Sequence, residues 1–164
     1  MGDLTDLAAK TGALLKDRGV TVSVAESSTG GLVSAALLAV PGASAYFRGG
    51  TVVYTREAKH LLAGVSEADL DAVRAATEQH ALYLARAILA RMETDWAVSE
   101  TGAAGPTGNR YGDAAGHTCI AVAGPVDRVI TLETGKDGRE ENMWAFAEAA
   151  LDLLHKTVEE GAGS

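Results

Sequence analysis

Residues 20–31 read VTVSVAESSTGG, and this stretch decides the fold. Its first six residues are mostly apolar and β-branched, which predicts a short buried β-strand. The following LVSAALLAV continues as a helix that Pro41 and Gly42 end. Between strand and helix lie a carboxylate, three hydroxyl side chains and two glycines, so the predicted unit is strand–turn–helix with a polar turn.

The rest of the chain repeats the two periodicities of helix and strand. Apolar residues at helical spacing predict a helix before Gly19, a short helix over 56–63 and a last helix capped by Asp137. The cap-like pair Ser66 and Asp69 predicts the start of one long helix that runs through Ile88. Short apolar runs predict further strands within residues 45–55, 95–101, 116–124 and 128–134.

This order of elements predicts an α/β fold: a three-layer α/β/α sandwich around a mixed five-stranded sheet with one antiparallel strand. Strands joined through helices run parallel, so the first three end at one edge, and the fourth, after a helix-free loop, runs antiparallel. We expect one domain over residues 1–164, with its core at about 5–158. Four segments, 26–31, 54–59, 99–116 and 135–139, then converge on the sheet edge where such folds bind ligands.

Composition narrows the class of function. A net charge of −8 and a pI near 4.9 argue against a nucleic-acid or membrane-surface partner, which would need a basic patch. Neither a signal peptide nor a membrane-length apolar stretch is visible, so we expect a cytoplasmic protein. The single cysteine, Cys119, lies in the apolar run TCIAVA and is predicted to be a buried strand thiol.

The polar turn has two interpretations. Ser27 or Ser28 can cap the following helix, but a cap does not explain Gly30 and Gly31, which cost helix stability. Glycines let a ligand approach backbone N–H groups at a helix start, where an anion or oxyanion binds. Close packing of helix on sheet explains them equally well, so the turn alone leaves both interpretations open.

A base can come from the second converging segment. Lys59 lies one turn into a helix that begins at the same edge as Ser27, and Tyr54 ends the preceding strand. A lysine activates a serine only if its pKa is lowered, through burial or a nearby cation such as Arg56 or Arg139. Serine, lysine and tyrosine then form an acyl-transfer group, whereas an ordinary solvated helix face is the alternative.

The third segment is a glycine-rich loop, SETGAAGPTGNRYGDAAGH, over residues 99–117. Its spacing is wrong for a dinucleotide fingerprint, so we expect it to wrap a phosphate or ribose, or else to be an irregular surface loop. Asn109, Arg110 and Asp113 are its polar candidates, and His117 either contacts a ligand or bonds to backbone. His80 is predicted to face the core, and no residue spacing resembles a metal site.

Three stretches together, VAESSTGG, VPGASAYFRGGTVVYTREAKHLLAGV and AVSETGAAGPTGN, closely resemble the CinA C-terminal domain family. The family is also described as competence/damage-inducible protein A, the nicotinamide-nucleotide amidohydrolases. The resemblance covers residues of about 5–155 and implies a three-layer α/β/α fold. It also implies hydrolysis of the carboxamide of nicotinamide mononucleotide to nicotinate mononucleotide and ammonia, without a metal or cofactor.

The resemblance assigns roles to individual positions. Ser27 is implied as the nucleophile, Lys59 as the base that takes its proton and returns it to ammonia, and Tyr54 as their partner. The residues expected to bind substrate or stabilise the oxyanion are Glu26, Ser28, Thr29, Gly30, Gly31, Gly102, Ala104, Gly105, Pro106 and Arg139. The implied ligand is a small nucleotide, and a homo-oligomer is expected because family members often associate.

The chain departs from the family pattern mainly where the substrate is recognised. Ser28 replaces a cysteine, Glu100 stands near the loop start, and the loop has lost its usual lysine and proline. Met143 replaces a second arginine, whose charge Lys136 or Arg110 can supply. Two alternatives therefore stay open: an amidohydrolase for another small amide, and a non-catalytic domain that binds a nucleotide or a protein partner.

Overall fold

The central strands of the sheet are buried along most of their length, because both faces of the sheet are covered. In this computed structural model, which describes residues 2–161, Val22 and Val24 of the first strand pack into one apolar core, and Ala25 packs into another. The strands are β1 Val22–Glu26, β2 Phe47–Val52, β3 Trp96–Ala103, β4 His117–Ala123 and β5 Arg128–Glu133. The helices are α1 Gly2–Arg18, α2 Leu32–Leu38, α3 Arg56–Leu61, α4 Glu67–Ala72, α5 Glu78–Met92 and α6 Arg139–Gly161.

The sheet order is β2-β1-β3-β4-β5. Strands β2 and β3 both pair parallel with β1, and β4 pairs antiparallel with β3 and β5. Helices α1, α2 and α6 share the larger core on one face, and α5 packs on β1, β3 and β4 from the other face. The predicted three-layer sandwich, with one antiparallel strand in five, is confirmed. Cys119 is buried in β4, as predicted.

The single long helix predicted from Ser66 through Ile88 is wrong. The chain forms α4 and α5 instead, and between them Ala76 adopts a left-handed φ of 59°. Thr77 ends the interruption, because its hydroxyl accepts a hydrogen bond from the N–H of His80 and so caps α5. The sheet holds Ala76 in place: its N–H donates to Thr101 Oγ1, and its carbonyl accepts from His117 Nε2. Residues 73–77 therefore form an irregular segment over the end of β3.

The last helix begins at Arg139, one residue later than a cap at Asp137 would place its start. The carbonyl of Gly138 accepts the first helical bond, from Asn142, and Asp137 makes no side-chain hydrogen bond with the described residues. The buried face of α6 otherwise follows the predicted spacing through Phe146 and Leu154. Between residues 2 and 161, no helix has both the length and the apolarity needed to cross a bilayer.

Candidate active site

A cleft of about 550 Å³ opens at the carboxyl edge of β1, β2 and β3. Ser27, Tyr54 and Lys59 all line it, so the predicted convergence of the first two segments places these three residues on one cavity. A second cleft of about 260 Å³ is lined by residues that include Ser28, Gly105 and Arg139. It shares Tyr54, Gly102 and Asn109 with the first cleft. The fourth segment reaches the site through Arg139.

The turn after β1 requires its two glycines for conformational reasons. Gly30 and Gly31 have φ values of 62° and 106°, in the left-handed region that side chains disfavour. Helix α2 starts only at Leu32, with Gly31 at its N-cap and no side-chain cap from either serine. The turn conformation therefore explains the glycines, and it leaves Ser27 at the cleft instead of capping the helix.

Glu26 and Thr29 lie beneath the turn instead of facing the cleft. The Glu26 carboxylate, 1% exposed, accepts hydrogen bonds from the N–H groups of Val33 (3.1 Å) and Ser34 (2.9 Å). Glu26 thereby caps α2, a role that the sequence suggested for Ser27 or Ser28. Thr29 is fully buried and donates its hydroxyl to Glu26 over 2.7 Å. The structure thus gives both residues supporting positions and brings neither to the cleft, where the resemblance would place substrate contacts.

A second buried carboxylate, Glu100, holds the same turn from below. It accepts hydrogen bonds from the N–H groups of Ser27 (3.1 Å) and Thr29 (2.9 Å) and from the hydroxyl of Ser28. The Gly30 N–H is bonded to the Ser27 carbonyl over 3.1 Å. Of Thr29, Gly30 and Gly31, the backbone donors expected for an oxyanion, Gly31 keeps its N–H unpaired within the described chain but lines neither cleft. The N–H of Ser28, which lines the second cleft, is also unpaired there.

Lys59 has the surroundings that a general base requires. Thr55 caps α3 and places Lys59 on its inner side, where the residue is 5% exposed. Burial lowers the pKa of Lys59, and the negative charge of Glu100 opposes this in part. Across residues 2–161, its amine forms neither a hydrogen bond nor an ion pair. The lowered pKa comes from burial rather than from a cation, since Arg56 is paired with Glu67 and Asp71.

Tyr54 stands where the two clefts meet. Its side chain is largely exposed, and its hydroxyl accepts a hydrogen bond from Arg139 Nη2 over 3.2 Å. The other end of the same guanidinium donates to the carbonyl of Gly105 over 2.6 Å. Arg139, predicted as a substrate contact, thus also ties the tyrosine to the glycine-rich loop.

His80 lines the first cleft, which the sequence did not indicate. It is buried, as predicted, and its Nδ1–H donates to the carbonyl of Val73, so Nε2 is an acceptor. That Nε2 is buried and has no hydrogen-bond partner in the part of the chain that the structure describes. Burial, aided by the positive charge of Lys59, lowers the pKa of His80 to about 4, so the ring is neutral at pH 7. Only its helical spacing was visible in the sequence, and spacing does not separate a core histidine from a cleft histidine.

The glycine-rich loop is largely bonded to itself. Asn109 donates its amide to Asp113 and accepts from the N–H of Asp113, and Arg74 forms an ion pair with Asp113 at 2.8 Å. Asn109 reaches both clefts, and Arg110 lines the first while donating to Tyr111.

Several other predicted residues take clear positions. Gly102 and Ala104 line the second cleft, while Pro106 is exposed and lines neither. His117 bonds to the carbonyl of Ala76 and to Glu133, which matches the backbone-bonded alternative. Lys136 pairs with Glu141 and lies outside both clefts. Within residues 2–161, no three His, Cys, Asp or Glu side chains are grouped as metal ligands would be.

The sequence of this chain is similar to those of known proteins. A curated relative, a CinA-like protein from Chlorobium limicola, is 41% identical over 99% of this chain. The chain spans only 39% of that relative's length. A putative competence-damage inducible protein from Halothermothrix orenii is 36% identical over 94% of the chain and 38% of its own length.

Solved structures share the whole architecture. The crystal structure of competence/damage inducible protein CihA from Agrobacterium tumefaciens superposes with a TM-score of 0.89 at 33% identity, over 97% of both chains. A CinA superfamily protein from Klebsiella pneumoniae gives a TM-score of 0.90 at 25% identity, over 96% of this chain and 98% of its own. The family model of the CinA C-terminal domain matches residues 4–158. The chain belongs to the CinA C-terminal domain family.

Proposed function

We propose that this domain is an amidohydrolase that converts nicotinamide mononucleotide to nicotinate mononucleotide and ammonia. One observation carries the proposal: Lys59, a buried amine of lowered pKa, lines the same cleft as Ser27 and Tyr54. A nucleophilic serine needs an adjacent base that is neutral part of the time. The non-catalytic alternative would be favoured by a fully solvated Lys59, and a residue 5% exposed argues against it.

The proposed reaction runs in two halves. The Lys59 amine takes the Ser27 proton while Oγ bonds to the carboxamide carbon, and the unpaired N–H of Ser28 can donate to the oxygen that becomes negative. The carbon–nitrogen bond then breaks, the Lys59 ammonium returns the proton, and ammonia leaves an ester on Ser27. Water, deprotonated by Lys59, attacks this ester, releases the carboxylate and regenerates Ser27.

Size and charge support a mononucleotide substrate. The cleft of about 550 Å³, which meets a smaller cleft of about 260 Å³ at Tyr54, falls in the usual size range of small-molecule sites. Although the protein carries a net charge of −8, arginines line both clefts, which favours an anionic ligand. Arg110 and Arg139 form no ion pair with a described carboxylate, so either can hold a phosphate.

A specific observation favours a second candidate, hydrolysis of another small anionic amide. In the loop that departs from the family pattern, Asp113 already neutralises Arg74, and Asn109 is bonded within the loop. Arg74 and Asn109, which line the first cleft, are therefore bonded within the protein and are not free to bind the nucleotide. This candidate keeps the same chemistry at Ser27 and changes only the recognised group.

The test is ammonia release from nicotinamide mononucleotide by the wild type, Ser27→Ala and Lys59→Ala. We expect release by the wild type and a loss of at least a hundredfold in each variant. Ser44→Ala, at an exposed position, and Lys136→Ala, at an ion-paired lysine outside both clefts, are matched controls that should keep activity. Wild-type release no greater than that of Ser27→Ala would reject the substrate, and a panel of other anionic amides would then test the second candidate.

A further inference from the structure

Glu100 is a buried carboxylate to which no cation among residues 2–161 is bonded. It is 1% exposed, and all of its hydrogen bonds come from uncharged donors. Oε1 accepts from the N–H groups of Ser27 and Thr29, and Oε2 accepts from the hydroxyls of Ser28 and Thr118 (2.9 Å). A buried carboxylate is costly unless its oxygens are hydrogen-bonded, so its presence in a strand without another charged residue needs a reason.

The bonds of Glu100 define what the turn presents to the cleft. They hold the backbone at Ser27 and Thr29 and turn the Ser28 hydroxyl inward. The Ser27 hydroxyl and the N–H groups of Ser28 and Gly31 remain without protein partners in the described chain. Ser27 lines the first cleft and Ser28 the second, whereas Gly31 lines neither, so attack and oxyanion binding would use the Ser27 hydroxyl and the Ser28 N–H.

Two of the chain's departures from the family pattern are in direct contact. Ser28 stands where the family commonly has cysteine, and its hydroxyl donates to Glu100, the unusual acid at the loop start. A hydroxyl is a much better donor to a carboxylate than a thiol is. The two positions therefore act as one unit, which anchors the turn to β3.

The charge of Glu100 also reaches Lys59. Among the groups around that amine, Glu100 approaches from β3, His80 from α5 and Arg56 from its own helix α3. His80 is neutral above about pH 4, and Arg56 is paired with acids on α4. Glu100 is thus the negative group that raises the pKa of Lys59 against the effect of burial.

We propose that Glu100 is a positioning residue for the nucleophile: by bonding to Ser27, Ser28 and Thr29 it fixes the Ser27 hydroxyl and the unpaired N–H of Ser28 in their reactive arrangement. This inference rests on the proposed role of Ser27 as a nucleophile, though not on the identity of the substrate. Glu100 acts through the turn and touches no substrate itself.

The test measures the reactivity of Ser27 without a substrate. A fluorophosphonate forms a phosphorus–oxygen bond with an activated serine and releases fluoride, and its rate is followed by intact mass from pH 5 to 10. Glu100→Ala should slow labelling roughly tenfold to a hundredfold, because the turn loses its anchor and the serine shifts. Glu100→Gln keeps the two N–H bonds through its carbonyl oxygen, and the Ser28 and Thr118 hydroxyls can rotate to accept from its amide, so most of the labelling rate should return.

The pH profile separates positioning from general stability. Without the charge of Glu100, the pKa of Lys59 falls, so the acid limb of labelling in Glu100→Gln should move to lower pH. Glu26→Gln is the matched control, because it removes the other buried carboxylate under the turn, and Glu26 is not among the charges that act on Lys59. It should destabilise the fold and leave the acid limb in place.

The outcomes distinguish failure of the positioning role of Glu100 from failure of the proposed substrate. Wild-type rates in Glu100→Ala would overturn the positioning role even if ammonia release is observed, whereas an unmoved acid limb in Glu100→Gln would overturn only the effect of its charge on Lys59. The expected Glu100 effects on labelling in a protein that releases no ammonia would keep the positioning role and reject the substrate. A wild-type Ser27 that never reacts would overturn both.

Discussion

Arg139 donates a hydrogen bond to the Tyr54 hydroxyl over 3.2 Å, and this contact joins the start of α6 to the end of β2. The same guanidinium reaches the carbonyl of Gly105 over 2.6 Å. A single planar side chain therefore fixes the relative position of the tyrosine, the glycine-rich loop and the passage between the two clefts.

Arg139→Lys is predicted to weaken catalysis more than folding. A lysine keeps the charge but has no planar fork that reaches both oxygens, so Tyr54 or the loop is released. Losing one such bond costs about 1 kcal/mol, or roughly fivefold to tenfold in kcat/KM for nicotinamide mononucleotide. Steady-state kinetics and a thermal melt would check it, and unchanged kcat/KM with a lowered Tm would contradict it.

Lys59→Met is predicted to abolish hydrolysis and to stabilise the fold. Burial lowers the pKa of Lys59, so the unfolded chain binds its proton more tightly than the folded chain does. The charged amine thus costs stability, and this cost appears as pH falls below the usual 10.5 and persists at neutral pH. A methionine of similar length removes it, and differential scanning calorimetry at pH 7 should show Tm raised by a few degrees. A lower Tm would contradict this account of the amine's surroundings.

His80 is predicted to make the protein sensitive to acid. Its pKa is about 4 in the fold and about 6.5 when unfolded, so stability is full above pH 6.5 and is lost as pH falls through this window. The loss between pH 7 and pH 4 is about 3 kcal/mol. Urea unfolding of the wild type and His80→Phe at pH 7, 5.5 and 4 would measure it, since phenylalanine does not titrate. Parallel pH dependence in the two proteins would show that His80 is not responsible.

His117 is predicted to stabilise the fold at low pH, in contrast to His80. Burial opposes its charge, but hydrogen bonds to Ala76 and Glu133 and the charge of Asp113 outweigh burial and raise the pKa of His117. Its contribution to stability is therefore complete below pH 6.5 and is lost as pH rises through the raised pKa. The Tm difference between the wild type and His117→Gln should shrink from pH 6 to pH 9. A difference that grows over this range would contradict the assignment.

The sheet could be predicted because its signals are local. Strand-length apolar runs mark β1 to β5, and the connection between β3 and β4 is too poor in helix formers to return the chain in parallel. The helix break at Ala76 could not be predicted, because its hydrogen bonds come from Thr101 and His117, far along the chain. Nothing in the sequence of residues 66–88 alone disfavours a continuous helix.

The residues that line the candidate site could be predicted from the sequence, whereas the positions of the two acids beneath it could not. Ser27, Tyr54 and Lys59 follow strand ends, so strand direction alone brings them to one edge. The supporting positions of Glu26 and Glu100 depend on which backbone N–H groups each carboxylate meets after folding. A sequence records that an acid is present but not whether it lies in a cleft or beneath it.

The two halves of this site are fastened to different parts of the protein. The Ser27 turn is bonded downward to Glu26 and Glu100 in the sheet, whereas the loop around Asn109 is bonded to itself and to Arg74. Mutations can therefore accumulate in that loop without moving the serine. In evolutionary terms, the sequence of the loop can diverge while the Ser27 turn keeps its geometry.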